Sequence, residues 1–257
     1  MSSSLDLADR VAVVIGGTSG LGRAIALGLA HAGADVIPTG RREALAREAS
    51  EQIENAGRHS MCVTVDVLHR DSIDELRDRV LDEFGRVDIL VNAAGTVARK
   101  PTLQVSEAEW EATIDVNATG ALRACQSFYE PLAAHGRGRV IHIASLNSFV
   151  SLREVAPYAA AKSALLSLTR SLAVEWARSG VNVNAIAPGV FRTDLNRKLL
   201  DETERGQELL MRIPMKRFGC AEEVIGVAVL LASDAASYIT GQCIVVDGGF
   251  LASGVNS

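Results

Sequence analysis

The sequence predicts a doubly wound α/β fold, in which a parallel sheet carries helices on both faces. Of the 257 residues, 48% are hydrophobic but only 4% are aromatic. The core is therefore expected to consist of Ala, Val, Leu and Ile, the composition of buried parallel strands covered by helices. Short apolar runs alternate with helical patterns along the chain. Because no linker, internal repeat or low-complexity tract interrupts this pattern, residues 1–257 are predicted to form a single domain.

The apolar runs and helical patterns give the expected elements in order. Seven runs are predicted as strands: 10–15, 35–39, 61–66, 87–91, 138–144, 181–187 and 243–246. Helices are predicted at 21–32, 41–56, 71–84, 159–177 and 221–232, with two more within 106–134. Ser106 and Glu109 form a capping-box pattern for the first of those two. Pro38 lacks a donor for the sheet ladder and is expected near the end of its strand.

Charge and cysteine usage argue against several classes of function. The net charge is −5, without a basic stripe, so neither nucleic acid nor an anionic membrane is an expected partner. The four cysteines, Cys62, Cys125, Cys220 and Cys243, have no CxxC spacing, and the five His form no cluster with them. No disulfide framework or metal site is therefore indicated. Without a signal-peptide pattern or a long apolar run, the protein is expected to be cytoplasmic.

A glycine-rich turn directly follows the first predicted strand and opens the first helix. In Gly-Gly-Thr-Ser-Gly-Leu-Gly22, the residues Gly16, Gly20 and Gly22 permit a tight turn and a close approach of the backbone to a pyrophosphate. The alternative is an ordinary strand-to-helix turn that uses Gly for its positive φ. The strand–turn–helix context favours nucleotide binding, and hence a Rossmann-type domain.

The end of the second strand bears on the choice of dinucleotide. An acidic residue near this point binds the ribose 2′-hydroxyl of NAD, whereas arginine accommodates the 2′-phosphate of NADP. Here Gly40 stands in place of the acid, and Arg41 and Arg42 follow. This favours NADP, with Arg41 the preferred residue, although NAD use stays possible. The alternative is two solvated arginines that open the next helix.

Polar and small residues occur where other strands are expected to end, the edge at which open α/β sheets bind ligands. Asp66 is placed to accept from an adenine amino group or to cap the following turn. Residues 92–95, Asn-Ala-Ala-Gly, leave space beside a ligand. Ser145 follows the fifth strand, where a functional serine and a capping serine are equally common. Asn117 lies inside helical sequence, which usually indicates local hydrogen bonding or a kink.

Tyr158 and Lys162 are four residues apart at the start of a long apolar helix. Residues at this spacing share one helix face, so the phenol and the ammonium are expected side by side. A nearby cation favours the phenolate and lowers the phenol pKa, which would make Tyr158 a general acid/base. The alternative is an amphipathic pair without function. Farther along, residues 190–220 are irregular and polar, and such a segment suggests a substrate-covering lid.

Together these motifs resemble the short-chain dehydrogenase/reductase family over nearly the whole chain. The family's Thr-Gly-x-x-x-Gly-x-Gly motif matches residues 15–22, with Ile15 replacing Thr. Its Asn-Asn-Ala-Gly motif matches residues 92–95, with Ala93 replacing the second Asn. The residues that match its catalytic tetrad are Asn117, Ser145, Tyr158 and Lys162. Pro188, Gly189 and Thr193 match the segment that meets the nicotinamide carboxamide.

The resemblance implies a mechanism without metal and a set of ligand-binding residues. Tyr158 would exchange a proton with the substrate oxygen, Lys162 would lower its pKa and hold the nicotinamide ribose, Ser145 would orient the reacting oxygen, and Asn117 would hold a water. The cofactor-binding residues would be Gly16, Thr18, Ser19, Gly20, Leu21, Gly22, Arg41, Arg42, Asp66, Val67, Asn92, Ala93, Ala94, Gly95, Tyr158, Lys162, Pro188, Gly189, Val190 and Thr193.

A narrower resemblance concerns the substrate. Residues 153–155 before Tyr158, residues 175–177 in the same helix, and Arg99 are similar to gluconate 5-dehydrogenases and related sugar-acid enzymes. A guanidinium binds a carboxylate bidentately, so Arg99, and after it Arg153, would bind substrate together with Ser145 and Tyr158. The alternative is that both arginines are solvated surface charges.

Three functions follow from these resemblances. The first is an NADP-preferring oxidoreductase for a secondary alcohol or ketone of a sugar acid or polyol. The second is a 3-oxoacyl-carrier-protein reductase, which a basic surface beside the pocket would favour, whereas an enclosed pocket with Arg99 would favour the sugar acid. The third is a non-catalytic dinucleotide sensor, which predicts a damaged tetrad. The family also implies a homotetramer, with the apolar segment after Asp247 a candidate for its interface.

Overall fold

A six-stranded parallel sheet forms the centre of the protein. The computed structural model describes residues 4–193 and 196–254, and within them the strand order is β2-β1-β3-β4-β5-β6 with every pairing parallel. The strands are β1 Val11–Ile15, β2 Asp35–Thr39, β3 Ile89–Asn92, β4 Arg139–Ile143, β5 Asn182–Pro188 and β6 Cys243–Val246. The chain order reverses between β1 and β3, and this reversal is where open α/β sheets bind ligands.

Nine α-helices connect and cover these strands in the described residues. They are α1 Gly20–His31, α2 Glu43–Asn55, α3 Arg70–Phe84, α4 Glu107–Ile114, α5 Gly120–Ala133, α6 Ala156–Trp176, α7 Arg197–Glu202, α8 Glu204–Arg212 and α9 Ile225–Ala232. A π-helical segment, Asp115–Thr119, joins α4 to α5. The predicted capping box at Ser106 and Glu109 is formed. Among the described helices none is long and apolar enough to cross a membrane.

One of the seven predicted strands, residues 61–66, is wrong, because no strand forms there. This segment runs beside β2 but makes only an isolated bridge, between Gly40 and Thr64. The Val36 N–H donates to the His59 carbonyl at 3.0 Å, and a parallel ladder would next take a donor from residue 38. Pro38 has no N–H, so the Met61 carbonyl accepts from a serine hydroxyl in α2 instead. β2 is therefore an edge strand, with Pro38 its penultimate residue as expected.

Apolar side chains from alternate strand positions build a core on each face of the sheet. Val13 and Ile15 of β1 belong to a cluster with residues of α3, α5 and α6. Ala12 and Val14 point the other way, into a cluster with α1 and α9. Because all five residues of β1 are buried, the strand reads as one continuous apolar run. The doubly wound architecture is thus confirmed, with helices on both faces.

The segment 190–220 contains α7 and α8, which fold back onto the chain. Leu200 and Leu209 of these helices are buried in a cluster with Leu146, just after β4, and with Phe250. The two helices therefore pack beside the carboxyl end of β4. Phe250 is only 4% exposed and fills this cluster of its own chain, so this aromatic residue of the segment after Asp247 is not free for the interface suggested above.

Candidate active site

The glycine-rich turn packs backbone against backbone at the carboxyl end of β1. Gly16 has φ +85°, and a methyl group on it would lie 2.5 Å from the Ala94 nitrogen. A methyl group on Gly22 would lie 2.1 Å from the Gly16 carbonyl oxygen. Only glycine fits either position, and the turn is thereby held against β3 and the first turn of α1. Gly20, at φ +53°, begins that helix.

The amino end of α1 fits a pyrophosphate. Its N-cap residue, Ser19, has extended backbone and makes no side-chain cap hydrogen bond. The first backbone N–H groups of a helix lack partners within it and carry the positive end of the helix dipole. A methyl group on Gly20 would meet only the Thr193 side chain, at 4.0 Å. This open amino end, bordered by Thr193, is the space a dinucleotide phosphate requires.

The two arginines after β2 are placed differently from each other. Both are exposed, and the Arg42 Nη2 donates to the Ser19 hydroxyl at 3.3 Å, which brings Arg42 over the glycine-rich turn. The Arg41 side chain, the preferred residue above, makes no such contact in the described structure. Gly40 packs against Thr18, whose hydroxyl would lie 3.0 Å from a methyl group at residue 40. The structure thus adds weight to Arg42.

Asp66 and Val67 directly follow the segment that bridges to Gly40 after β2. The Asp66 Oδ1 accepts from the Leu68 N–H at 3.1 Å, so the carboxylate caps the turn that follows, the alternative noted above. The Asp66 backbone N–H donates to the Ser72 hydroxyl at 3.0 Å. Val67 is buried and lies against Gly120 of α5. Their contact with an adenine stays a prediction.

Lys162 and Tyr158 meet as the helical spacing predicts. The Lys162 Nζ lies 5.6 Å from the centroid of the Tyr158 ring and donates to the Ile143 carbonyl of β4 at 2.7 Å. Lys162 is 3% exposed, and burial lowers its pKa to about 8, so the ammonium is still mostly charged at neutral pH. A methyl group on Gly95 would lie 3.5 Å from this Nζ. The loop after β3 therefore reaches the lysine.

The expected lowering of the Tyr158 pKa is wrong for this structure. Burial raises the pKa of the Tyr158 phenol, and hydrogen bonding with Ser145 opposes that shift. Lys162 lies over the ring face, and its own hydrogen bond goes to a backbone carbonyl. The Tyr158 hydroxyl is thus protonated at neutral pH, the form that donates a proton to a ketone oxygen. Ser145 also accepts from the Asn147 N–H at 3.1 Å, which orients its hydroxyl.

Asn117 completes the group of four from a π-helical turn, which the sequence did not predict. Its side-chain amide donates to the Thr113 and Thr96 carbonyls, each at 2.9 Å, and its Oδ1 accepts from the Thr96 N–H at 3.3 Å. π-Helical turns inside helices occur frequently at functional sites. A methyl group on Gly95 would lie 2.8 Å from the Asn117 Oδ1, beside Lys162. The structure thus brings the four tetrad residues together.

A buried polar chain that sequence reasoning missed links the cofactor loop to α6. The Thr169 hydroxyl donates to the Leu165 carbonyl at 2.8 Å, so the His142 Nδ1 donates to Thr169 at 2.9 Å. The His142 Nε2 then accepts from the Cys125 thiol at 3.3 Å, and Asn92 donates to that sulfur at 3.5 Å. These four groups come from distant parts of the sequence, so no local pattern reveals them. Asn92 is thereby fixed in orientation.

The neutral state of His142 leads to a prediction about acid stability. Burial, followed by the charge of Lys162, lowers the His142 pKa from 6.5 to about 3. The unfolded chain then binds the extra proton first, so stability is complete above pH 6.5 and falls as the pH drops towards 3. When the pH is lowered from 7 to 5, the free energy of unfolding should decrease by about 2 kcal/mol less in a His142→Gln variant than in wild type. Urea unfolding at both pH values measures the difference.

The exposed His31 at the end of α1 offers a matched control. A His31→Gln variant should keep the wild-type difference between the two pH values. Equal acid sensitivity in His142→Gln and wild type would contradict the assignment of a buried neutral imidazole.

The predicted nicotinamide segment lies at the end of β5. Pro188 is the last residue of that strand, and the Gly189 N–H donates to the Val246 carbonyl at 2.8 Å. A methyl group on Gly189 would lie 2.6 Å from the Asp247 Cα, so glycine is required there. Val190 packs beside α7 and α8, and the Thr193 N–H donates to Asn196.

The predicted substrate arginines belong to a charged group on the loop after β3, the loop before α6 and helix α8. The side chains of Arg99 and Arg153 are exposed, and Arg205 of α8 donates to the Glu154 carboxylate at 3.2 Å and to the Arg153 carbonyl at 2.8 Å. Burial, followed by the charge of Arg205, lowers the Arg99 pKa, and Glu154 opposes that shift. We call Arg99, Arg153, Glu154 and Arg205 the entrance cluster. Sequence reasoning missed Arg205, because no motif spacing connects it to the others.

Comparisons with known proteins agree over nearly the whole chain. A family model described as enoyl-(acyl carrier protein) reductase matches residues 16–251. The chain is 40% identical over 251 residues to the 2-dehydro-3-deoxy-D-gluconate 5-dehydrogenase of Escherichia coli K12, covering 97% of this chain and 98% of that one. It is 37% identical to a 3-oxoacyl-[acyl-carrier-protein] reductase of Synechocystis, covering 95% and 98%. A gluconate 5-dehydrogenase structure from Burkholderia cenocepacia, in complex with NADP and tartrate, superposes with TM-score 0.93 at 34% identity and covers 98% of each chain.

Proposed function

Because the chain belongs to the short-chain dehydrogenase/reductase family, we propose that it is an NADP-preferring oxidoreductase that interconverts a secondary alcohol and a ketone of a sugar acid. The observation that carries this proposal is the meeting of Lys162, Tyr158 and Ser145 at the carboxyl end of β4, with Asn117 reached through Gly95. A non-catalytic dinucleotide sensor would not need these four side chains together. The arrangement is suited to proton transfer beside a bound dinucleotide.

Each side chain has a distinct part in this chemistry. Tyr158 donates its proton to the ketone oxygen in reduction and takes it back in oxidation. Ser145 hydrogen-bonds the same oxygen and keeps it within reach of the phenol. Lys162, held by the Ile143 carbonyl, would bind the ribose hydroxyls of the nicotinamide, and Asn117 fixes the backbone around Thr96 and Gly95. NADP(H), when bound, accepts or supplies the hydride.

The residues that would hold the dinucleotide lie along the switch between β1 and β3. The pyrophosphate would bind the amino end of α1 at residues 18–22, and Arg42 and Arg41 would meet the 2′-phosphate. Asp66 and Val67 would border the adenine, residues 92–95 the adjoining ribose, and residues 188–190 with Thr193 the nicotinamide. The NADP in the Burkholderia relative supports this cofactor.

Two observations support a sugar acid as the substrate. The relatives from Escherichia coli and Burkholderia cenocepacia are named for gluconate derivatives. The entrance cluster brings the guanidinium groups of Arg99 and Arg205 near one carboxylate, that of Glu154, in a chain whose net charge is −5. A local excess of positive charge favours an anionic ligand. Arg99 is the first candidate for the carboxylate contact and Arg153 the second.

The second candidate function is 3-oxoacyl-carrier-protein reductase, which the Synechocystis relative favours. The arginines of the entrance cluster would also suit an acidic carrier protein. Charge therefore does not distinguish the two functions, and assays with the two substrates must do so. Oxidation of D-gluconate with NADP supports the first. Reduction of a 3-oxoacyl thioester, without gluconate turnover, would support the second and overturn the first.

The cofactor assignment is tested by a pair of arginine variants. Arg41→Ala and Arg42→Ala are each expected to raise the KM for NADP about 10–100-fold, because a charge-assisted hydrogen bond to the 2′-phosphate is lost. The KM for NAD should stay within about twofold, since NAD lacks that phosphate. Steady-state kinetics with both cofactors measures the effect. Equal loss with NAD and NADP, or no loss with either variant, would contradict the assignment.

Assembly, location and domain organisation complete the proposal. The protein would act as a cytoplasmic homotetramer, and residues 1–257 as one domain in which 190–220 cover the substrate. Its four cysteines are free thiols, as is usual in a reducing compartment. Exposed apolar side chains on α6 and β6, Val174 and Val245, support contact with further copies of the chain. Light scattering measures the subunit number.

A further inference from the structure

An ion pair joins α8 to the loop before α6. The Arg205 Nη1 lies 3.2 Å from the Glu154 Oε2, and its Nη2 donates to the Arg153 carbonyl at 2.8 Å. Arg205 therefore touches this loop through both branches of its guanidinium. This contact joins the helix of the proposed lid to the residues four and five positions before Tyr158.

The loop that carries Arg99 is fastened to the same point. The Lys100 N–H donates to the Glu154 carbonyl at 2.9 Å. Glu154 has φ +69°, a conformation that non-glycine residues rarely adopt, so the surrounding contacts hold it there. The Lys100 ammonium is neutralised by Glu109 at 2.8 Å. Arg99 and Arg205 thus both face Glu154, with more positive than negative charge between them.

A cavity of about 450 Å³ lies between these loops. Its lining includes Pro101, Leu152, Arg153 and Glu154, together with Ala159 next to Tyr158. Arg205 meets this lining through its contacts with the Glu154 carboxylate and the Arg153 carbonyl. Glu154 can neutralise only one of the two arginines that face it. The remaining positive charge attracts a carboxylate, which a guanidinium can bind through two parallel hydrogen bonds.

We propose that Arg205 is a second carboxylate-selecting residue of this site, acting with Arg99, and that Glu154 is the counter-ion that holds Arg205 at the cavity. This inference rests on the proposed sugar-acid function. Because Arg205 lies on α8, its charge reaches the cavity only while α8 is packed through Leu209 into the cluster with Leu146 and Phe250. Substrate selection then depends on the packing of α8.

The test compares an acid with its neutral amide. The values of kcat/KM for D-gluconate and D-gluconamide, which share their hydroxyl groups, are measured with NADP for wild type and Arg205→Gln. The variant is expected to lose about tenfold for gluconate but less than about twofold for the amide. Arg205→Lys keeps the charge and should retain most of the preference. In Glu154→Gln the amide oxygen still accepts from Arg205 and keeps it in place, but the counter-charge is gone, so the preference for gluconate should increase.

A matched control removes an arginine ion pair elsewhere. Arg58 binds the Asp35 carboxylate at 2.9 Å and donates to the Ala34 carbonyl at 3.3 Å, at the amino end of β2, so Arg58→Gln should leave kcat/KM for both substrates unchanged. Equal losses for acid and amide in Arg205→Gln, or no loss for either, would overturn the proposal and leave Arg205 only a packing role.

A failure of the proposed function is distinguishable from a failure of this inference. If wild type oxidises neither compound, the proposed sugar-acid function fails. Charge selection is then decided by calorimetry of the NADP complex with tartrate and with threitol, its neutral counterpart. Tartrate binding that is weakened about tenfold in Arg205→Gln supports the inference, and tartrate binding that is absent or independent of Arg205 overturns it.

Discussion

A Tyr158→Phe variant is expected to lose about 10³-fold in kcat in both directions of the reaction, because the group that transfers the proton is removed. Phenylalanine keeps the ring that lies 5.6 Å from the Lys162 Nζ, so the helix and the lysine stay in place. The affinity for NADP should therefore change little. Steady-state kinetics, cofactor fluorescence titration and thermal unfolding together separate loss of chemistry from loss of fold.

Tyr129 provides the matched control for this substitution. Tyr129 lies on α5, away from the tetrad, and its hydroxyl is 2.8 Å from the Ser179 hydroxyl. Tyr129→Phe should keep wild-type kcat and lose about 1 kcal/mol of stability with the hydrogen bond. A Tyr158→Phe variant that kept more than about a tenth of wild-type kcat would contradict the assignment of the phenol as the proton-transfer group.

The pairing of Tyr158 and Lys162 illustrates what spacing predicts and what it does not. A separation of four residues in a helix places the two side chains together, and this was confirmed. The sign of the Tyr158 pKa shift was wrong, because it depends on the burial of the phenol, which outweighs the opposing hydrogen bond with Ser145. Neither is encoded near Tyr158 in the sequence. The helical spacing predicts that the two side chains are close, whereas the pKa of the phenol depends on the tertiary structure around it.

Residues 61–66 do not form a strand because of Pro38, a residue of the neighbouring strand β2. Pro38 is expected near the end of its strand, and it is the penultimate residue of β2. The effect falls on the segment beside β2, whose ladder lacks the N–H of residue 38. Similarly, the contact of Arg205 with Glu154 and that of His142 with Cys125 depend on tertiary packing. A sequence pattern cannot predict them because no fixed spacing links the partners.

Replacing Gly22 by Ala is expected to damage both cofactor binding and folding. Gly22 is buried in the first turn of α1, and the added methyl group would lie 2.1 Å from the Gly16 carbonyl oxygen. To relieve this overlap α1 must move away from the turn, which displaces the N–H groups that face the pyrophosphate. We expect a loss of about 2–3 kcal/mol in unfolding free energy and about a hundredfold in NADP affinity. Urea unfolding and calorimetric titration measure the two effects.

Gly226 of α9 separates this steric effect from helix propensity. A methyl group there would meet nothing within 4 Å, so Gly226→Ala should stabilise the protein by about 0.5–1 kcal/mol and leave NADP binding unchanged. Gly22→Ala receives the same gain in propensity, and any net loss must therefore come from the contact with Gly16. If Gly22→Ala were destabilised but bound NADP as tightly as wild type, the three glycines would serve only as a strand-to-helix turn. A dinucleotide site requires that stability and NADP affinity fall together in Gly22→Ala, since the contact between Gly22 and Gly16 both shapes the turn and orients its N–H groups.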